Sequence, residues 1–104
     1  IQGFFHADAV MNTTLDAGSF ATLGHATVEG FLERVGNSPA VLDEQISGME
    51  IRIDGHMANA WTPYTFYVDG DFSHCGVNSF QLINTDGGWN IVHIIDTRRK
   101  EGCS

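Results

Sequence analysis

From residue 46 onward the chain alternates apolar and polar positions with a period of two. "ISGMEIRIDG" sets Met49, Ile51 and Ile53 on one side and Glu50, Arg52 and Asp54 on the other, the pattern of a strand with one wet face. "MANAWTPYTFYV" is aromatic and β-branched, and Asp69-Gly70 after it supplies a strong hairpin turn. "FSHCGVNSFQLINT" reads as a third strand, "DGG" as a second turn and "WNIVHIIDT" as a fourth strand. Short connections in succession predict an antiparallel meander. Pro63 has no N–H to give to a ladder, so a bulge or bend is expected there.

Upstream the period changes. In "TVEGFLERVGNSP" the apolar residues Val28, Phe31, Leu32 and Val35 form one stripe of an amphipathic helix over 27–36. Thr27 suits the N-cap, Gly36 the C′ position, and Pro39 a stop just beyond. Gly30 weakens such a helix by up to about 1 kcal/mol relative to alanine unless close packing requires it. "FFHADAVM" reads as a junction of two elements at Asp8, "NTTLDAG" as a turn-rich connection and "SFATLG" as a short strand. The expected architecture is α+β, helices first and then a long curved antiparallel sheet. A single helix cannot cover four long strands, so a preceding helix or a second copy of the chain is expected to do so.

A chain of 104 residues forms one domain, 1–104. Thirteen acidic against five basic residues give a net charge of -8, which disfavours nucleic acid. The one basic cluster, Arg98-Arg99-Lys100, sits beside Glu101 and makes a weak anion patch. Cys75 falls inside a strand and Cys103 in the polar tail, which reads as two reduced thiols in a cytoplasmic protein. No apolar run reaches the length of a membrane span, and no signal-peptide pattern is visible. The histidines at 6, 25, 56, 74 and 93 show no metal-ligand spacing, so no metal and no cofactor are expected.

The succession "FFHADAVM", a helix ending "GFLERVG", "AWTPYTFYVDGDFSHCGVNSFQLI" and "GGWNIVHIIDTRR" resembles the nuclear transport factor two-like superfamily over nearly the whole chain. Within it, the small bacterial lumazine-binding and polyketide-cyclase-like proteins are the most similar. The resemblance implies a cone: a strongly curved antiparallel sheet wrapped around N-terminal helices, with a pocket at the wide end. It also implies a homodimer, and a long helix preceding "FFHADA", so the sequence is expected to lack its N-terminal helix. Members include isomerases, dehydratases, cyclases and pure binding modules, and no catalytic motif matches here residue for residue, so the fold alone does not set the function.

Two-residue turns at Asp69-Gly70 and Asp86-Gly87 sort the strands by face. They set Phe72 opposite Tyr67 and His74 opposite Thr65, then Leu82 opposite Ile91 and Phe80 opposite His93. Trp61, Tyr67, His74, Asn78, Phe80 and His93 then share the predicted concave face. Tyr64, Phe66, Cys75, Val77, Ile94 and Asp96 fall on the outer one, whose apolar groups suggest the homodimer contact. His74 and Cys75, being adjacent in a strand, point to opposite faces and cannot form a nucleophile–base pair. His74 and His93 are the proton-transfer candidates; the alternative is a pair of core histidines satisfied by backbone or by Tyr67. Asp96 is either a base at the pocket mouth or the partner of Arg98 or Arg99. Trp61, Tyr64, Tyr67, Asn78, Phe80 and Asp96 are the ligand-contact candidates. The functional expectation is a domain that binds an apolar or aromatic small molecule in a hydrophobic pocket. The alternative is a cofactor-free isomerase, dehydratase or cyclase that uses the histidines for acid–base chemistry.

Overall fold

The period-two stretches become one sheet in the computed structural model, which describes residues 4–103. Its strands are β1 (Phe5–Asp16), β2 (Ala21–Ala26), β3 (Leu42–Ile46), β4 (Glu50–Asp54), β5 (Met57–Val68), β6 (Asp71–Thr85) and β7 (Gly88–Asp96). A helix, α1 (Val28–Gly36), lies between β2 and β3. The strand order is β2-β1-β7-β6-β5-β3, and β4 shares the outer edge of β5 with β3. All pairings are antiparallel except β1 with β7.

The fold is thus α+β with a large, mostly antiparallel sheet. Among the described residues there is one helix, and it follows two strands, where the sequence pattern puts helices first. "FFHADAVM" and "NTTLDAG" do not mark two elements and a loop but run through a single strand. Its second half is held by β2 along 11–16 and by β7 along 10–13, so partners outweigh the polar residues there. The turn comes only after Asp16, where Gly18 takes a φ of 100° and its N–H meets the Asp16 carboxylate at 2.9 Å.

The β4–β7 meander follows the predicted turns. Val68 pairs with Asp71 across Asp69-Gly70, both of which have positive φ, and Thr85 pairs with Gly88 across Asp86-Gly87. Pro63 causes no bulge; its pairing with Val77 is in register. On its other side β3 ends at Ile46 and β4 starts at Glu50, so the missing N–H falls in a gap between two partners. The Pro63 carbonyl instead accepts from the Ser47 N–H at 3.0 Å.

The bulges lie elsewhere. One is at Ser73, because Phe66 pairs with His74 but Tyr67 with Phe72. A second is at Val92, because Gln81 pairs with His93 but Leu82 with Ile91, and the β1–β7 register also shifts between Phe5 and Val10. Each extra residue reverses the alternation beyond it. One face therefore carries Ala58, Ala60, Thr62, Tyr64 and Phe66 from β5, His74, Asn78 and Phe80 from β6, and Ile94 and Asp96 from β7. The opposite face carries Trp61, Thr65, Cys75, Val77, Ser79 and His93.

The best-buried residues sit at the centre of this pairing: Ala58, Thr62, Tyr64, Thr65 and Cys75. Beyond Asp96 the β7 register carries on. The Thr97 N–H donates to the Val77 carbonyl at 3.1 Å, and Cys75 and Arg99 exchange two backbone bonds of 2.8 Å. Cys75 and Cys103 then form a disulfide, so the expectation of two reduced thiols is corrected. The tail returns along β6 and brings the two sulfurs together, a proximity that the strand-and-tail pattern alone did not reveal. Among the described residues no helix is long and apolar enough to cross a membrane.

Candidate functional site

The helix forms as the apolar stripe predicts, and its N-terminus is capped by Thr27, whose hydroxyl accepts from the Gly30 N–H at 3.0 Å. Gly30 has a reason: a Cβ there would lie 2.9 Å from that hydroxyl. Gly36 is not the C′ residue expected. It belongs to the helix, and Asn37 ends it with φ -101° and an N–H bond to the Glu33 carbonyl of 3.0 Å. Phe31, Arg34 and Val35 of α1 line a cavity of about 380 Å³ against the Tyr64 face of the sheet.

Part of the lining is apolar, from Phe31, Val35, Leu42 and Phe66. The rest is polar and gathers Glu44, Tyr64, His74, Asp96 and Arg98. Phe66 and Tyr64 arrive together because β5 alternates, and His74 joins them because the Ser73 bulge turns it to their side. Leu42 and Glu44 come from β3, paired with Val68 and Phe66. The His74 ring stacks on Phe66 at 5.0 Å and meets Tyr64 edge-on at 5.7 Å. Its Nδ1 is 3.0 Å from the Ser73 hydroxyl.

Tyr64 is nearly fully buried, and its hydroxyl donates to the Thr97 carbonyl at 2.7 Å. Gly76, its cross-strand partner, makes this possible, because a Cβ there would collide with that same carbonyl. Burial, and after it the Asp96 charge, push the Tyr64 hydroxyl up to about 12, so it stays protonated at neutral pH. His74 is held below the ordinary histidine value, first by burial and then by the Arg98 charge, with Asp96 acting the other way. Asp96 is the buried member of an ion pair: its Oδ2 lies 3.7 Å from Arg98 Nε, with side-chain exposures of 17% and 59%. Its Oδ1 is buried without a hydrogen-bond partner. Such an oxygen is a costly group to leave unpaired, and it can accept a proton or a ligand donor.

The structure brings together only part of the predicted set. Tyr64, His74 and Asp96 meet at the cavity, although the turn lengths alone put Tyr64 and Asp96 on the outer face. Asn78 shares their face and donates to Glu44 at 2.8 Å, orienting that carboxylate. Phe80 is on the same face but lines a separate, almost wholly apolar cavity with Met49, Ile51 and Trp89.

Trp61, Tyr67 and His93 lie on the opposite face, which corrects the shared concave surface drawn from the turns. Trp61 is half exposed, and Tyr67 packs edge-on to Phe72 at 6.5 Å. His93 Nε2 is 2.8 Å from Asn12 Oδ1, whose amide in turn bonds the Gly24 carbonyl at 3.0 Å. That contact ties the imidazole to β1, away from the cavity. Sequence reasoning missed Phe31, Leu42 and Glu44. The alternation of Leu42, Glu44 and Ile46 was the available signal, obscured by the neighbouring acids. Among the described residues no group of three or more His, Cys, Asp or Glu side chains could hold a metal.

Comparison with known proteins agrees with this architecture. The sequence profile of the SnoaL-like domain matches residues 1–95, and the chain belongs to that family, within the nuclear transport factor two-like superfamily. Among solved structures it is similar to a superfamily protein of unknown function from Shewanella baltica, with 19% identity over 94% of this chain and 74% of that one, at a TM-score of 0.61. A protein of unknown function with a cystatin-like fold from Nostoc punctiforme gives 13% identity over 94% and 73%, with a TM-score of 0.68. A Novosphingobium aromaticivorans protein provisionally called a scytalone dehydratase gives 14% over 92% and 66%, with a TM-score of 0.67. At these identities the likeness speaks for the fold alone. No curated protein gives a significant match to the sequence.

Proposed function

We propose that this SnoaL-like domain binds a flat, largely apolar small molecule between α1 and the sheet. The observation that carries the reading is the composition of the 380 Å³ cavity, whose lining combines Phe31, Leu42 and Phe66 with His74, Asp96 and Arg98. Apolar walls with a few convergent polar groups are the usual makeup of a ligand site. Calorimetric titration with a neutral two-ring probe, 2-naphthamide, tests it. Saturable binding that Phe66→Ala weakens is expected; binding indifferent to Phe66→Ala, or no binding by this amide and by its carboxylate and phosphate analogues alike, overturns it.

A second reading has its own support in the unpartnered Asp96 Oδ1 beside a histidine of lowered proton affinity. In it the domain is a cofactor-free isomerase, dehydratase or cyclase, with Asp96 and His74 transferring protons and Tyr64 only positioning the tail through Thr97. Hydrogen–deuterium exchange at the α-carbon of 2-tetralone, followed by NMR, would show such proton abstraction. Exchange that is absent, or that persists in Asp96→Asn, overturns this reading.

The homodimer expected from the sequence is retained as a proposal, with a changed contact. Tyr64, Phe66 and Ile94 now face the helix side, so Trp61, Val77 and Ile95 supply the outer apolar surface. A monomer by light scattering at micromolar concentration would refute it. The cytoplasmic assignment rested on free thiols; with Cys75–Cys103 bridged, an oxidising compartment is the better proposal.

A further inference from the structure

We propose that the ligand carries an anionic group, seated between Ser73, His74 and residues 98–100, with its apolar body in the cavity beneath α1. This rests on the small-molecule reading above and specifies the ligand's chemistry. A second cavity of about 240 Å³ is bordered by Ser73, His74, Arg98, Arg99 and Lys100. Every one of these side chains can donate a hydrogen bond, and none is a carboxylate. His74 and Arg98 border both cavities, so one molecule can occupy the two.

The distribution of charge supports the assignment. The chain has five Lys and Arg residues against thirteen Asp and Glu. Of the five, Arg34 and Arg98 line the larger cavity and Arg98, Arg99 and Lys100 the smaller; only Arg52 lies apart. The acids lining the two are Glu44 and Asp96. A protein of net charge -8 repels anions from most of its surface, so the cations gathered here create a local field of the opposite sign.

Part of that charge is already engaged. Asp96 offsets Arg98 at 3.7 Å, and Arg99 donates to the backbone carbonyls of Glu101 at 3.0 Å and Gly102 at 3.4 Å. Those carbonyls use N–H groups without neutralising the guanidinium. Among the described residues no ion pair engages Arg99 or Lys100. The uncompensated charge suits one carboxylate or one phosphate monoester. The segment is also held in place, by the paired backbones of Arg99 and Cys75 and by the disulfide at Cys103, so little order has to be imposed on binding.

Calorimetry with three probes of one shape decides the matter: 2-naphthamide, 2-naphthoate and 2-naphthyl phosphate. Both anions are expected to bind about tenfold more tightly than the amide, as charge-assisted bonds require. Lys100→Gln should remove about threefold of that advantage and leave the amide unchanged, whereas Arg98→Gln, at a residue that also borders the larger cavity, should weaken the anions more than the amide. Lys100 is exposed, so its variant keeps the test valid even if Arg98→Gln disturbs Asp96 and the fold. A preference between the two anions identifies the head group. Amide and anions binding alike, or variants that weaken all three equally, would overturn the anionic ligand and leave the pocket standing. If no probe binds, the pocket reading falls and takes this one with it.

Discussion

The imidazole of His74 lies over the ring of Phe66, centroids 5.0 Å apart and planes 23° apart. This contact exists because a single extra residue, Ser73, turns His74 toward the helix side of the sheet. It shields one side of the imidazole from water and so favours the neutral ring, which accords with burial as the chief cause of the lowered proton affinity.

The sign of the pH dependence follows. With its folded pKa below the unfolded value, His74 holds a proton in the unfolded chain at pH values where the folded protein has released it. Stability is therefore untouched by this group above the ordinary histidine pKa and falls as pH drops below it, down to the folded value. Urea midpoints at about pH 7.5 and about pH 5 should differ more for the native protein than for His74→Gln. Equal differences in the two proteins would contradict the burial of His74. The neighbouring Arg98 and Lys100 charges act in the same direction, and Asp96 and Glu44 oppose them.

Tyr64→Phe should destabilise the protein by about 1–3 kcal/mol, since it deprives the Thr97 carbonyl of its donor in a buried setting. Denaturant unfolding measures this directly. A change below about 0.5 kcal/mol, the scale of ordinary surface substitutions, would mean that water replaces the phenol there.

How much of this was legible beforehand can be judged at the two hairpins. Asp69-Gly70 and Asp86-Gly87 announce their turns, and the first pairs beyond them, Phe72 with Tyr67 and Leu82 with Ile91, follow from the turn length alone. The bulges at Ser73 and Val92 do not announce themselves, because neither is a glycine or a proline. A bulge depends on how the strand must bend against its neighbours, which is a tertiary requirement. Pro63 shows the converse: a residue that ought to disturb the ladder is harmless because β3 and β4 leave a gap opposite it. The period-two pattern from residue 46 and the helix stripe were therefore legible, while the membership of each face was not. Tyr64 and Asp96 were recognised as polar candidates and placed on the wrong side for this reason. β1 escaped because its polar residues resemble a loop until its two neighbours are known.

Cys103→Ser should lower stability by up to about 3–4 kcal/mol, the entropy of a loop closed over a separation of 28 residues. It should also loosen residues 97–102, seen as faster amide exchange at Arg99 and Thr97, whose N–H groups are bonded to β6. Unchanged exchange at both amides would show that the backbone pairing holds the tail without the disulfide.

The last prediction separates the two histidines that the turns alone had placed together. His74 borders the cavity, whereas His93 lies on the opposite face with its Nε2 on Asn12 at 2.8 Å. His74→Ala removes an aromatic surface and a donor from the site, so 2-naphthoate affinity should fall by about tenfold. His93→Ala breaks a hydrogen bond that ties β7 to β1 and leaves Asn12 short of a partner, so it should cost about 1–2 kcal/mol of stability. Its effect on affinity should stay within about twofold, well under the cost of losing a direct contact. Parallel titration and unfolding of both variants give a two-by-two result. If His93→Ala weakens binding as much as His74→Ala does, the Val92 bulge does not exist in solution and the shared face returns. If neither weakens binding, the ligand lies elsewhere, and the apolar cavity of Met49, Ile51, Phe80 and Trp89 becomes the next place to test.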